Sequence, residues 1–169
     1  MLRSARLCNY NFILKRGNMR LLSRAEAERP NPKFLGRKVG DFRTDYTTLV
    51  DVFGSPNIPS EHLDYKTNHE WLFEFRGEFF YIYDWCIGFR ASRWDVITWS
   101  VGGSTDPTDF ISWVRDKIAL KALHNVIEHT GYYVRGFGTD DEAKSYEPEY
   151  KKAIQKKREI EQRWQVKKQ

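Results

Sequence analysis

The stretch EWLFEFRGEFFYIYDW, residues 70–85, places eight aromatic side chains in sixteen positions. Two apolar runs flank Arg76-Gly77. Glycine tolerates the positive φ of a tight turn, so the stretch reads as a β-hairpin. Side chains alternate faces along a strand. With a two-residue turn, Phe75 pairs with Glu78, and Trp71, Phe73 and Phe75 share a face with Phe80 and Ile82. The other face then carries Leu72, Glu74, Phe79, Tyr81, Tyr83 and Trp85. An odd loop count flips the parity and sets Trp71, Phe73 and Phe75 beside Phe79, Tyr81, Tyr83 and Trp85. In both registers one face is core. The second is either covered by the chain's own helices or is a partner surface. Tyr81, Tyr83 and Trp85 stand out here, because their polar tips suit half-buried, interface-like positions.

The flanking sequence supplies the remaining elements. WDVITWSVGG reads as a third strand, ended by Gly102-Gly103. STDPTDFISWVRDKIALKALHNVIEHTG carries the strongest helix signal. Thr105 or Asp106 caps it, Pro107 suits its first turn and Gly131 its stop. Ile111, Val114, Ile118, Ala122 and Val126 form one apolar stripe. In TDYTTLVDVFGSP, Thr44 or Asp45 caps a short helix that Gly54 and Pro56 end. PEYKKAIQKKREIEQRWQVKKQ reads as a terminal helix with Ile154, Ile160 and Trp164 to dock it. The expected fold is α+β. A three-stranded antiparallel sheet (70–76, 79–85, 95–101) packs on one long helix (106–129), with a short N-terminal helix and a basic C-terminal helix. The expected division is 1–43 as a basic extension and linker, 44–140 as the α+β domain and 141–169 as a charged helix, consistent with a length of 169 residues.

Charge is laid out unevenly. Residues 1–25 carry +6 and residues 149–169 carry +5 in a chain of net charge +5, so the body between them is at −6. Basic ends point to polyanion contact or targeting, while an acidic body argues against a nucleic-acid platform on the globular part. MLRSARLCNYNFILKRGNMRLLSR resembles a mitochondrial transit peptide in composition. A basic tail, or an extension upstream of a start at Met19, are the other readings. Lys151, Lys152, Lys156, Lys157 and Arg158 are the candidate polyanion contacts; a solvated helix face is the competing reading. Cys8 and Cys86 form no disulfide framework, which fits a reducing intracellular compartment. That compartment is the cytoplasm, with the mitochondrion as the alternative. No apolar run approaches the ~20 residues of a membrane span.

Catalytic and metal motifs are incomplete. There is no Gly-rich phosphate loop, no nucleophile signature and no zinc spacing. His124 and His129 stand five apart rather than the four that shares a helix face, beside Glu128. VRGFG, residues 134–138, matches part of an RNA-recognition strand, but acidic residues follow where stacking rings belong, so a glycine turn fits better. The pairs Asp64/Glu70 and Asp84/Asp95 serve general acid–base chemistry only if folding converges them. The sequence implies no cofactor and no metal.

LVDVFGSP, YKTNHEWLFEF, FYIYDW and ITWSVGG together resemble a family of small uncharacterised proteins of phages and large DNA viruses. The likeness spans residues 46–103. It implies importance for Glu70, Trp71, Tyr83, Asp84, Trp85, Trp99, Gly102 and Gly103 and brings no assigned activity. This chain departs from that pattern at Cys86 and Ser100, where the family carries Lys and His.

The functional expectation is a small non-catalytic binding module of the viral accessory type. Glu70, Tyr81, Tyr83, Asp84, Trp85 and Trp99 are its binding residues, and its basic ends anchor it electrostatically. Its partner is a protein, with nucleic-acid contact through the ends. A structural accessory subunit of a large mitochondrial or ribonucleoprotein assembly is the alternative, and a small enzyme using Asp84 or Glu70 is the third reading.

Overall fold

A computed structural model describes residues 19–23, 26, 37–58, 67–85 and 91–166. Cys8, His62, Asp64, Cys86 and the Arg-rich stretch before Met19 lie outside the described residues. The class is α+β, in two compact units. One is a sheet drawn from 1–43, 56–92 and 97–107; the other is helical, drawn from 44–55, 93–96 and 108–169. The elements in chain order are β1 (Met19–Leu21), β2 (Arg37–Thr44), α1 (Tyr46–Phe53), β3 (Glu70–Phe75), β4 (Glu78–Tyr83), β5 (Ile97–Gly103), α2 (Thr108–Tyr132) and α3 (Asp140–Val166).

The hairpin turns on two residues. Arg76 has φ 55° and Gly77 φ 80°. Two successive positive φ values twist the chain in the sense of the flanking strands, and so permit the shortest connection. Phe75 therefore faces Glu78, and the register runs on to Glu70 opposite Tyr83. This parity collects Trp71, Phe73, Phe75, Phe80, Ile82, Trp99 and Val101 as buried side chains. Trp71 meets Trp99 edge-on at 5.5 Å, and Phe75 meets Phe80 likewise at 6.2 Å. Burial of each such side chain stabilises by about 1.5–3 kcal/mol relative to exposure.

Among the described residues the sheet has five strands in the order β1-β3-β4-β5-β2, not the three expected. The two additional strands come from sequence that reads as basic extension and linker. Both sit at edges. An edge strand pairs on one side only and gains from charge, which discourages further pairing. In β2, RKVGDFRT, only Phe42 and Thr44 are buried, so no alternating apolar pattern exists to be read. Near the other edge, Asn57 continues the ladder where β1 ends. Its Nδ2 donates to the carbonyls of Leu22 (2.8 Å) and Leu72 (3.0 Å), and its Oδ1 accepts from the Leu72 amide (2.8 Å).

The third strand runs over 97–103 rather than 95–101, because Gly102 and Gly103 are strand positions and not its stop. Gly102 pairs with Tyr81 and Gly103 with Phe80. A Cβ on Gly102 would stand inside the Tyr81 ring, and one on Gly103 would lie 2.9 Å from the Phe80 ring. The missing side chains make room for two aromatic rings folded across from the neighbouring strand.

In the helical unit, Asp45 caps α1 by accepting from the Thr48 amide (2.8 Å) and the Thr47 and Thr48 hydroxyls, and Gly54 at φ 82° ends it. Phe53 and Phe110 pack on Trp113 at 5.6 and 5.9 Å. On α2 the buried residues are Phe110, Trp113, Val114, Thr130 and Gly131, whereas Ala122 of the expected stripe is exposed. Gly131 does not stop the helix. It lies where the Tyr150 ring of α3 approaches to 3.0 Å of a would-be Cβ. The chain turns instead over 133–137, with Gly136 at φ 90°. The helix α3 then starts at Asp140 rather than Pro148, which lies inside it. Thr139 and Glu142 cap one another there: the Thr139 amide donates to Glu142 (2.8 Å) and the Glu142 amide to the Thr139 hydroxyl (3.3 Å). Ala153, Ile160 and Trp164 bury their side chains, and Trp164 Nε1 donates to Asp116 of α2 at 2.7 Å.

Replacing Gly102 by Ala forces the Tyr81 ring aside. Urea unfolding is expected to show a loss of about 1–3 kcal/mol, the usual cost of overpacking. Combined with Tyr81→Ala, the same change costs less than it does in the wild-type background.

Candidate functional site

The turn parity sends a second set of side chains to the face opposite the aromatic core. From β4 come Phe79, Tyr81 and Tyr83; from β3, Glu70, Leu72 and Glu74; from β5, Ser100 and Gly102. With Gly102 beneath it, the Tyr81 ring lies low on the sheet and stacks on Tyr83 at 5.2 Å. Tyr83 shares a hydrogen bond with the Ser100 side chain and meets Trp85 edge-on at 6.1 Å. Three rings thus form a continuous row. Its inner members are half-buried or buried, and its outer member, Trp85, is 44% exposed.

Two carboxylates sit at the same end of the hairpin in opposite states. Asp84, only 1% exposed, accepts from the backbone amides of Asn68 (2.8 Å) and His69 (2.9 Å) on one oxygen. Its other oxygen meets His69 Nδ1 at 3.0 Å. Burial alone would raise its pKa, but the His69 imidazole and the two amides outweigh burial and hold it below the usual carboxylate range. Glu70 faces Tyr83 across the ladder and has no side-chain hydrogen bond or ion pair among the described residues. Burial first, and the charge of Asp84 second, push its carboxyl up to about 7. Burial raises the Tyr81 phenol to about 12, with Tyr83 and Glu70 adding to it. Burial also raises Tyr83, where Glu70 acts in the same sense and the Ser100 bond and Lys38 act against it.

Of the residues singled out from sequence, the structure brings Glu70, Tyr81, Tyr83, Asp84 and Trp85 together. Trp99 stands apart, fully buried against Trp71. Among the described residues the acidic neighbour of Glu70 is Asp84. Ser100, Gly102 and His69 join the group without having been singled out as binding residues. Ser100 was legible as a residue of the strand that follows the hairpin, Gly102 read as that strand's end, and His69 had only its position beside Glu70.

On α3, three of the five basic candidates are engaged within their own helix. Lys151 pairs with Glu147 (2.7 Å), Lys156 with Glu159 (3.8 Å) and Lys157 with Glu161 (4.0 Å). Lys152 and Arg158 are exposed. His129 packs edge-on against Tyr133 and Tyr146. Among the described residues no three His, Cys, Asp or Glu side chains converge as a metal site, and no helix is long and apolar enough to cross a membrane. No family model, curated protein or solved structure matches the chain.

The two carboxylates set opposite pH dependences. The folded Glu70 pKa lies above its ordinary 4.5, so its contribution to stability is full below pH 4.5 and is lost as the pH rises through about 7. Asp84 is lowered, so its contribution is present above the ordinary carboxylate value and is lost only in acid, as the pH falls through its folded pKa. As the pH rises from about 5 to about 8, the window set by Glu70, Glu70→Gln is expected to gain Tm relative to wild type. Parallel melting curves for the two proteins across that range would remove this assignment.

Proposed function

We propose that this chain is a small non-catalytic binding module of the viral accessory type, which holds a protein partner on the face carrying Glu70, Tyr81, Tyr83 and Trp85. One observation carries it: a row of three touching rings whose outermost member, Trp85, is 44% exposed. Trp and Tyr held on a rigid sheet suit interface anchors, since they present large area at little entropic cost. Asp84 supports the fold rather than chemistry in this reading, because its oxygens are taken by Asn68 and His69 and closed from solvent. The viral assignment extends the likeness of residues 46–103 and places the protein in the cytoplasm of the host cell.

Tyr83→Ala combined with Trp85→Ala is expected to abolish partner capture while circular dichroism stays native. A photo-crosslinking residue at position 85 is expected to trap one discrete partner, and the same residue at exposed position 128 none. Unfolding of the double variant would instead assign these rings to the core and overturn the proposal.

The alternative, an accessory subunit threaded into a large assembly, draws on the basic ends. On α3, Lys152 and Arg158 are exposed, and Lys151, Lys156 and Lys157 form exposed pairs with acids of their own helix that a phosphate can compete with. Titration of RNA at low and moderate salt reads it directly. Removing one phosphate-binding cation, by Lys152→Gln or Arg158→Gln, lowers the salt slope by about 0.7–0.9. Flat titrations of the wild-type chain remove the reading.

A further inference from the structure

The aromatic row and the Glu70 carboxyl beside it, unpaired among the described residues, define a ligand chemistry more specific than an apolar surface. We propose that Glu70, Tyr81, Tyr83 and Trp85 form a subsite for an alkylammonium group, the lysine head of a protein partner in plain or methylated form. The inference rests on the binding-module reading and names what its face recognises.

The chemistry begins with Glu70. Every side-chain polar atom closed off from solvent among the described residues has a hydrogen-bond partner. Glu70 has none, so its oxygens are not wholly closed off from solvent. They lie near rings: Tyr83 is its cross-strand partner, and its charge reaches both phenols. Trp85 meets Tyr83 edge-on at 85°, and of the two rings Trp85 is the exposed one while Tyr83 backs it as a buried ring. Aromatic faces carry negative potential and attract cations, tryptophan most strongly, and a carboxylate adds a full opposite charge. This combination disfavours an anion, and a neutral apolar group would leave the carboxyl unanswered. Two described cations of the sheet are already held by acids. Arg20 is held by Glu74 (3.0 Å) and Glu26 (2.6 Å), and Lys38, the cation whose charge reaches Tyr83, by Asp41 (2.9 Å). The charge that answers Glu70 therefore comes from outside this set.

Ligand binding is coupled to protonation. Glu70 takes a cation in its ionised form, so affinity rises with pH through the neutral range. Among the described residues, the titratable and charged groups facing Glu70 are Tyr81 and Tyr83 on β4, Asp84 just past its end, His69 just before β3, and Lys38 of β2 through Tyr83. Glu70→Gln separates its share of the pH dependence from theirs.

The test uses the full chain and two probes of one shape. Choline carries the charge, and 3,3-dimethylbutan-1-ol is its neutral counterpart. In proton–nitrogen correlation spectra, choline is expected to move the Trp85 indole and Gly102 amide signals saturably, and more tightly at pH 8 than at pH 6. The neutral alcohol is expected to bind roughly tenfold more weakly, the ratio typical of a cation–ring contact. Glu70→Gln and Trp85→Ala, the latter read at Gly102, are expected to weaken choline roughly tenfold as well. Equal response to both probes, or undiminished choline binding by Glu70→Gln, overturns the cation assignment. If choline fails while position 85 still traps a partner, the ammonium subsite falls and the binding face stands. If both fail, both fall.

Discussion

Two positive φ angles, at Arg76 and Gly77, govern where every large side chain of the hairpin points. A third residue in that turn would exchange the faces of β4 against β3. Phe79, Tyr81 and Tyr83 would then join Trp71, Phe73 and Phe75, and two sets of large rings would compete for one core volume. With two residues, Trp71, Phe73, Phe75, Phe80 and Ile82 close one face, and the tyrosines are assigned to the other. The chemistry of that second face follows from parity before any contact on it is considered.

The close approach of Tyr81 to Gly102 is the next consequence. A ring laid over a glycine lies low, and Tyr83 can then stack beside it and reach Ser100. The carboxylates show how small a displacement separates structure from site. Asp84 lies past the end of β4, where two backbone amides and an imidazole converge on it. Glu70 lies at the start of β3 with its backbone committed to the ladder and to Ile58. One acid is fully used by the fold, while the other is raised towards neutrality by burial and by its neighbour.

What the sequence disclosed followed from local rules. The hairpin was legible because alternation and glycine turn chemistry are local, and α1 because Asp45 and Gly54 bound it. The edge strands were not, since β1 and β2 are defined by the neighbours they pair with and not by their own apolar content. Gly102 and Gly131 misled in the same manner. Each looks like an element's end, and each is a place where another side chain, Tyr81 or Tyr150, comes close. Glu70, Tyr81, Tyr83, Asp84 and Trp85 gather at one end of the hairpin, because alternation and proximity in the chain had already grouped them. Trp99 does not, because alternation along β5 turns it to the core face against Trp71 while Ser100 and Gly102 take the other.

Asn57 shows a side chain standing in for a strand. Its amide grips Leu22 and Leu72 at the point where the three-residue β1 runs out. The Leu72 amide is therefore held by one carboxamide and not by a neighbouring strand. That edge can open and reclose as a small event of its own, while the hairpin beside it keeps the protection of the whole sheet.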